Sequence, residues 1–182
     1  DGRYTAVVTT GNELVVFDGP KELWRERQSS RVATAPFVAG ERVFVQGVDR
    51  TIRAYDAQDG RWLWAYQRSG GESLALAVPG VLASYKDTLL VGQGARLIAL
   101  DPLKGAPRFE VNMGTPRGSN EVERLADLIG PPTQSGDDLC VRAFQLSVVR
   151  GCYKRCRVTG LRQCKSASLH FENLSHTAMV GR

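Results

Sequence analysis

The fold is decided by residues 42–67, RVFVQGVDRTIRAYDAQDGRWLWAYQ, which read as three short strands joined by two tight turns. Apolar and polar residues largely alternate in residues 42–46 and again in 51–55, and a period of two predicts half-buried β-strands rather than a helix. Gly and Asp interrupt the strands at residues 47–50 and 56–60, as tight turns favour. Trp62 and Trp64 lie two residues apart and share a face, so at least one should anchor a core.

The same unit occurs three times, around Asp18, Asp56 and Asp101, at spacings of 38 and 45 residues. Equivalent positions hold Thr9, Leu14, Val16 and Trp24; then Gly47, Ile52, Ala54, Gly60 and Trp64; then Gly92, Leu97, Ala99, Gly105 and Phe109. Short strands repeating at this period are typical of propeller blades. We therefore predict an all-β chain, a partial β-propeller of four-stranded antiparallel blades, with three blades and the start of a fourth near Asp138.

The recurring side chains are interpreted as structural. Asp and Gly are kept where a hairpin turn needs them, whereas the further oxygens of a calcium loop at residues 56–60 are not repeated around Asp101. Trp24, Trp64 and Phe109 keep a fixed place in the repeat, which favours packing between blades over an aromatic box for a ligand. A strand follows residues 92–94, so a hairpin turn is favoured there over a phosphate loop. No catalytic residue, cofactor site or metal site is predicted in this body.

Two connections are longer than a hairpin, residues 68–79 and 114–132. The first follows the strand that holds Trp64, and the second follows the equivalent strand of the next blade, which holds Phe109. They should emerge side by side as one patch. The first carries Leu74 and Leu76. The second carries charged residues, Glu123, Arg124 and Asp127 among them, with apolar residues up to Ile129 at a helical spacing that predicts a short helix. Apolar anchors beside charges suit a protein-binding patch; leucines that fill the core beside solvated charges are the alternative.

Charge and cysteines separate the chain into two parts. Residues 1–145 hold 17 Lys and Arg against 18 Asp and Glu, whereas residues 146–182 hold seven against one, so the basic excess is no sign of nucleic-acid binding by the propeller. The tail lacks strand alternation, which suggests disorder or a reading frame shifted after Gln145. A zinc site of Cys152, Cys156, Cys164 and His170, and a Cys140–Cys152 disulfide, are the alternatives. The sequence contains no run of eighteen apolar residues, so it predicts no membrane-spanning helix.

The repeat, an apolar-x-Ala-apolar-Asp strand followed by x-x-x-Gly-x-x-x-Trp, resembles that of the pyrroloquinoline-quinone-dehydrogenase-like (PQQ-like) propellers. A narrower resemblance, over residues 1 to about 145, is to the BamB family of periplasmic lipoproteins that serve outer-membrane protein assembly. It rests also on GGESLALAVPG at residues 70–80 and TPRGSNEVERLADLIGPP at residues 115–132. The runner-up family is the quinoprotein dehydrogenases, whose calcium-binding carboxylates and stacked tryptophan have no visible counterpart here.

The resemblance to BamB implies a non-enzymatic scaffold at the periplasmic face of the outer membrane, without a cofactor. It would dock on the periplasmic domain of the barrel-forming subunit of the assembly complex, and free strand edges could also accept unfolded outer-membrane protein strands. Leu74 and Leu76 match the family's two leucines, and Asp127 matches the first of its two aspartates. Ala77 stands where an arginine is often found, and Ile129 stands where the second aspartate would be. Membrane association would come from a lipid anchor outside this chain, which begins in mid-repeat.

Overall fold

The computed structural model describes residues 2–68, 78–113, 127–135, 138–143, 149–154 and 157–163. All regular secondary structure in these ranges is β-strand. The strands are β1 (Tyr4–Val8), β2 (Glu13–Asp18), β3 (Lys21–Arg27), β4 (Phe37–Ala39), β5 (Arg42–Gln46), β6 (Ile52–Asp56), β7 (Trp62–Tyr66), β8 (Leu82–Tyr85), β9 (Thr88–Gln93), β10 (Arg96–Leu100), β11 (Pro107–Asn112), β12 (Leu128–Ser135), β13 (Asp138–Ala143), β14 (Val149–Lys154) and β15 (Arg157–Gln163).

The strands form four antiparallel sheets in which chain neighbours are also spatial neighbours. The first sheet is β1-β2-β3, and the other three, each of four strands, are β4 to β7, β8 to β11 and β12 to β15. A row of such meanders, each packed on the next, is the arrangement of propeller blades. The prediction of an all-β propeller with four-stranded antiparallel blades is confirmed, and we call the sheets blades 1 to 4.

Blades 2 and 3 are buried on both faces, because each of them lies between two other blades. On β5, Val43 and Val45 belong to the core shared with blade 1, whereas Phe44 belongs to the core shared with blade 3. All three side chains are almost fully buried. The prediction of half-buried strands is therefore wrong for residues 42–46, because the blade-to-blade contact covers both faces of the pleat.

Tryptophans dock each of the first two blades onto the next. The Trp24 Nε1–H donates to the Ala57 carbonyl at 2.9 Å, and the Trp64 Nε1–H donates to the Pro102 carbonyl at 3.2 Å. Phe109 takes the equivalent place in blade 3 and packs against the core shared with blade 4. Both tryptophans thus reach the turn that follows the next repeat aspartate, so the repeat period is also the period of blade packing.

The repeat glycines make room for those indoles. Gly60 and Gly105 have φ of 74° and 70°, a left-handed region that side chains rarely adopt. A Cβ added at Gly60 would lie 2.7 Å from the Trp24 ring, and one added at Gly105 would lie 2.5 Å from the Trp64 ring. Glycine is thus required at both turns by the backbone and by the neighbouring blade.

Two of the three repeat aspartates, Asp56 and Asp101, cap their own turns. Asp56 Oδ1 accepts a hydrogen bond from the Gln58 N–H at 2.8 Å, and Asp101 Oδ1 accepts one from the Leu103 N–H at 2.8 Å. The first aspartate, Asp18, instead lies 2.9 Å from Arg3, beside a turn that is shorter by two residues. Asp56 and Asp101 therefore act locally, in turns, as their spacing predicts.

The described part of blade 4 extends past the boundary at residue 145 that the sequence predicts. Strand β14, residues 149–154, pairs with β13, and β15, residues 157–163, pairs with β14 and completes a four-stranded sheet. Backbone hydrogen bonds to the open edge of β13 need no apolar pattern, which is why a reading by periodicity does not find them. The idea of a shifted reading frame stays a prediction. Residues 164–182 lie outside the described ranges, and so do three of the four candidate zinc ligands, Cys156, Cys164 and His170.

The register of blade 4 separates the two cysteines considered for a disulfide. Cys140 lies opposite Arg150, and Cys152 lies opposite Asp138, so the cysteines are diagonal neighbours. Diagonal residues are about 7–8 Å apart, beyond the reach of a disulfide. Cys140 is a free thiol in this structure.

The short helix predicted around residues 121–129 is not borne out at its C-terminal end. Ile129 belongs to β12 and pairs with Arg142, whereas residues 121–126 lie outside the described ranges. Extended backbone is required here because Ile129 also forms a bridge to Gly80 of the preceding blade connection. Among the described residues, no helix is long and apolar enough to cross a membrane.

Candidate protein-binding face

One end of the blades gathers the connections between blades and the turns between their second and third strands. We call it the connection face and define it as residues 31–34, 47–51, 78–80, 92–95 and 127–130. Hydrogen bonds tie its parts together: Val48 N–H donates to the Arg31 carbonyl at 2.8 Å, and Leu128 N–H donates to the Gly94 carbonyl at 2.9 Å. The repeat turns at residues 57–60 and 102–104 lie at the other end of the same strands.

The two long connections meet where they return to the blades. Gly80 and Ile129 form an antiparallel bridge, and the Gly130 N–H donates to the Pro79 carbonyl at 2.9 Å. Residues 78–80 and 127–130 are thus neighbours, as expected for connections that leave the same strand of successive blades. Five predicted site residues lie in the parts of these connections outside the described ranges: Leu74, Leu76, Ala77, Glu123 and Arg124.

Asp127, the sixth predicted site residue, lies in an ion pair within the chain. Its Oδ1 is 3.1 Å from Arg50 Nη2, and each of the two side chains is only 13% exposed. The pair joins the turn of blade 2 to the start of blade 4. Sequence reasoning missed Arg50, since 77 residues separate the partners and no pattern marks a contact at that distance.

Two glutamines link blades 2 and 3 reciprocally at this face. Gln46 Nε2 donates to the Gly92 carbonyl at 2.7 Å, and Gln93 Nε2 donates to the Arg50 carbonyl at 2.7 Å. Both side chains are buried, so each hydrogen bond also avoids the cost of burying an amide N–H without an acceptor. The only sequence signal for them is a polar residue at the end of a strand whose interior is apolar.

A further ion pair braces the turn that carries Arg50. Asp49 Oδ2 lies 2.9 Å from Arg53 Nη2, and Asp49 Oδ1 accepts the Thr51 N–H at 3.1 Å. Burial acts to raise the pKa of Asp49, but the hydrogen bonds from Arg53 and Thr51 outweigh it, so that the pKa is lowered. The carboxylate is therefore ionised at neutral pH and holds the turn in shape.

A cleft of about 40 Å³ with a mixed polar and apolar lining lies at the centre of the connection face, with room for about one water molecule. The Gln46 Oε1 is buried at its wall and has no hydrogen-bond partner among the described residues. The wall also contains glycine backbone, the Arg50–Asp127 pair and the apolar side chains of Val48, Val78 and Leu128. Among the described residues, no group of three or more His, Cys, Asp or Glu could hold a metal ion. The side chains can offer shape and hydrogen bonds to a partner.

The chain resembles known proteins over most of its length. A family model described as "Outer membrane protein assembly factor BamB" matches residues 1–160. The outer membrane protein assembly factor BamB of Bordetella pertussis is 34% identical over 151 residues, which cover 82% of this chain and 39% of that protein. The chain thus spans about two fifths of the length of this curated relative.

Solved structures share the architecture. BamB from Moraxella catarrhalis superposes with a TM-score of 0.77 at 23% identity, covering 88% of this chain and 49% of that chain. Quinohemoprotein alcohol dehydrogenase from Comamonas testosteroni superposes with a TM-score of 0.67 at 13% identity, covering 88% of this chain and 33% of that chain. At these identities both likenesses show the fold alone, so the second gives no support to a dehydrogenase activity.

Proposed function

The chain belongs to the BamB family of outer membrane protein assembly factors, and from that membership we propose that it is part of a non-enzymatic scaffold for outer-membrane protein assembly. Its place is the periplasmic face of the outer membrane. Its partner is the periplasmic domain of the barrel-forming subunit, which the scaffold holds while outer-membrane proteins fold. The partner would dock at the connection face and the two long connections that return to it.

The observation that carries this proposal is the pairing of the two long connections. Their returning ends are joined by the Gly80–Ile129 bridge and the hydrogen bond from Gly130 to Pro79. Two connections anchored side by side can present the leucines of one and the charges of the other to a single partner. An interface of this kind combines apolar anchors with a polar rim.

The rigidity of the scaffold below the connections supports the same proposal. Reciprocal glutamine hydrogen bonds and the Arg50–Asp127 pair hold blades 2, 3 and 4 together at this end. Loops mounted on a rigid framework bind with a smaller loss of conformational entropy than loops on a mobile one. The blades thus hold the connections in place, and the connections contact the partner.

Changing Leu74, Leu76 and Asp127 together to alanine in the full-length protein is expected to weaken binding to the barrel subunit's periplasmic domain by at least about tenfold, since truncation of interface anchors costs roughly 1 kcal/mol or more each. Binding is measured by isothermal titration calorimetry with purified proteins. Loss of the apolar anchors should raise the dissociation rate more than it lowers the association rate.

The matched control removes apolar surface at the other end of the blades. Trp62 and Leu103 are 60% and 59% exposed and lie at or beside the repeat turns. The Trp62→Ala, Leu103→Ala double variant is expected to bind like the wild type. Undiminished binding by the Leu74, Leu76 and Asp127 variant would remove these residues from the interface.

A further inference from the structure

We propose that Arg50 is a positioning residue of the connection face: Arg50 and Asp127 act on partner binding as one internal ion pair, and Asp127 does so through Arg50 rather than by touching the partner. This inference rests on the proposed function. It assigns a role to a residue outside both long connections, and it changes the role of Asp127 from partner contact to support.

Both charged groups of the pair are largely buried. The Arg50 and Asp127 side chains are each 13% exposed, with 3.1 Å between Nη2 and Oδ1. Little of either charged side chain is therefore accessible to an approaching protein. Removing either group of a pair taken largely out of water deprives the other of the opposite charge 3.1 Å away, which costs more than the loss of an exposed ion pair.

The backbone of Arg50 is fixed from two sides. Its N–H donates to the Gly47 carbonyl at 2.9 Å, and its carbonyl accepts the Gln93 Nε2–H at 2.7 Å. These bonds hold it at a φ of 61°. The guanidinium therefore projects from a rigid point between blades 2 and 3.

Asp127 lies at the return of the second long connection to blade 4. Residue 128, a buried leucine, follows it and donates its N–H to the Gly94 carbonyl at 2.9 Å. The ion pair adds a side-chain tether at the last residue before β12. Arg50 thereby fixes Asp127 relative to Val78 and Gly80, which border the same cleft.

A charge-swap series in the full-length protein tests the inference. Asparagine replaces each group singly, Arg50→Asn and Asp127→Asn, because asparagine tolerates the left-handed backbone of position 50. The double swap combines Arg50→Asp with Asp127→Arg and restores a pair of opposite charge. Affinity for the barrel subunit's periplasmic domain is measured by calorimetry, and a melting curve of each variant checks folding.

Each single asparagine variant is expected to weaken binding by roughly threefold or more, and the two together should weaken it no further than one, because they remove the same interaction. The double swap should recover affinity to within about twofold of the wild type, as expected for coupled charges. Arg108→Asn is the matched control, since Arg108 pairs with Asp87 and Asp101 at the other end of the blades and should leave binding unchanged.

The inference is overturned if Arg50→Asn binds like the wild type, or if the double swap binds no better than Asp127→Asn, since a partner that reads the Asp127 charge directly would reject the swap. Failure of the proposed function looks different: the wild-type protein itself would not bind, or the Leu74→Ala, Leu76→Ala variant would bind as tightly as the wild type. The two failures are therefore separable in one set of titrations.

Discussion

Trp64→Ala is expected to lower the free energy of unfolding of the full-length protein by about 4 kcal/mol, the cost of deleting a large aromatic side chain from a packed core. The indole is 7% exposed and lies with its ring centroid 5.8 Å from that of Phe44. Its removal opens a cavity between blades 2 and 3 and leaves the Pro102 carbonyl without its 3.2 Å donor. The change is measured by urea denaturation followed by circular dichroism.

The variants Trp64→Phe and Trp62→Ala separate the contribution of packing to stability from that of the hydrogen bond. Trp64→Phe keeps an aromatic ring but loses the Nε1–H donor, so a loss of about 1 kcal/mol is expected from the hydrogen bond. Trp62→Ala removes the same side chain two residues away, where it is 60% exposed, and should change stability by less than about 0.5 kcal/mol. Equal losses at positions 62 and 64 would contradict the docking role of Trp64.

Gly105→Ala should destabilise the same junction by about 3 kcal/mol, because a left-handed backbone and an overpacked contact each cost roughly 1–3 kcal/mol. Its φ is 70°, and a Cβ would lie 2.5 Å from the Trp64 ring, too close for the rigid indole to stay in place. The loss is measured by the same urea denaturation.

Gly40→Ala isolates the backbone contribution. Gly40 also has a positive φ, 57°, but a Cβ there would meet no atom within 4 Å. Its substitution is expected to cost about 1 kcal/mol, from backbone strain alone. If Gly105→Ala cost no more than Gly40→Ala, the contact between Trp64 and the turn of blade 3 would play no part in stability.

The sequence predicts the repeating parts of this fold because each repeat meets the same physical demand. The turn after Asp101 needs an acceptor and a glycine, and the position of Trp64 needs a ring large enough to reach the next blade. Such demands recur at a fixed spacing, so comparison of three repeats assigns these residues to turn and packing and argues against a ligand site in the Asp56 turn.

Long-range contacts leave no such trace. The Arg50–Asp127 pair joins residues 77 apart, and the reciprocal bonds of Gln46 and Gln93 connect strands of different blades. No local feature marks Arg50 or Asp127, and the glutamines differ from solvated polar residues only in closing a strand with an apolar interior. The burial of both faces of β5 likewise depends on the neighbouring blades. Alternation within a single strand instead suggests that one face is exposed to solvent.

The candidate site is predictable only in part for a related reason. The interrupted repeat locates the two long connections, and the strand they share predicts that they are neighbours, which agrees with the Gly80–Ile129 bridge. Which side chains contact a partner depends on residues 69–77 and 114–126. The roles of Leu74, Leu76, Ala77, Glu123 and Arg124 therefore stay predictions from family resemblance.

Site-specific photocrosslinking in cells tests the central claim most directly. A photoreactive amino acid is placed at position 74, in the first long connection, or at position 103, an exposed residue in the repeat turn of blade 3 at the other end of the strands. Adducts of the full-length protein are identified by mass spectrometry. We predict that position 74 crosslinks to the barrel-forming subunit and that position 103 does not; a crosslink from position 103 alone, or none from position 74, would contradict the proposal.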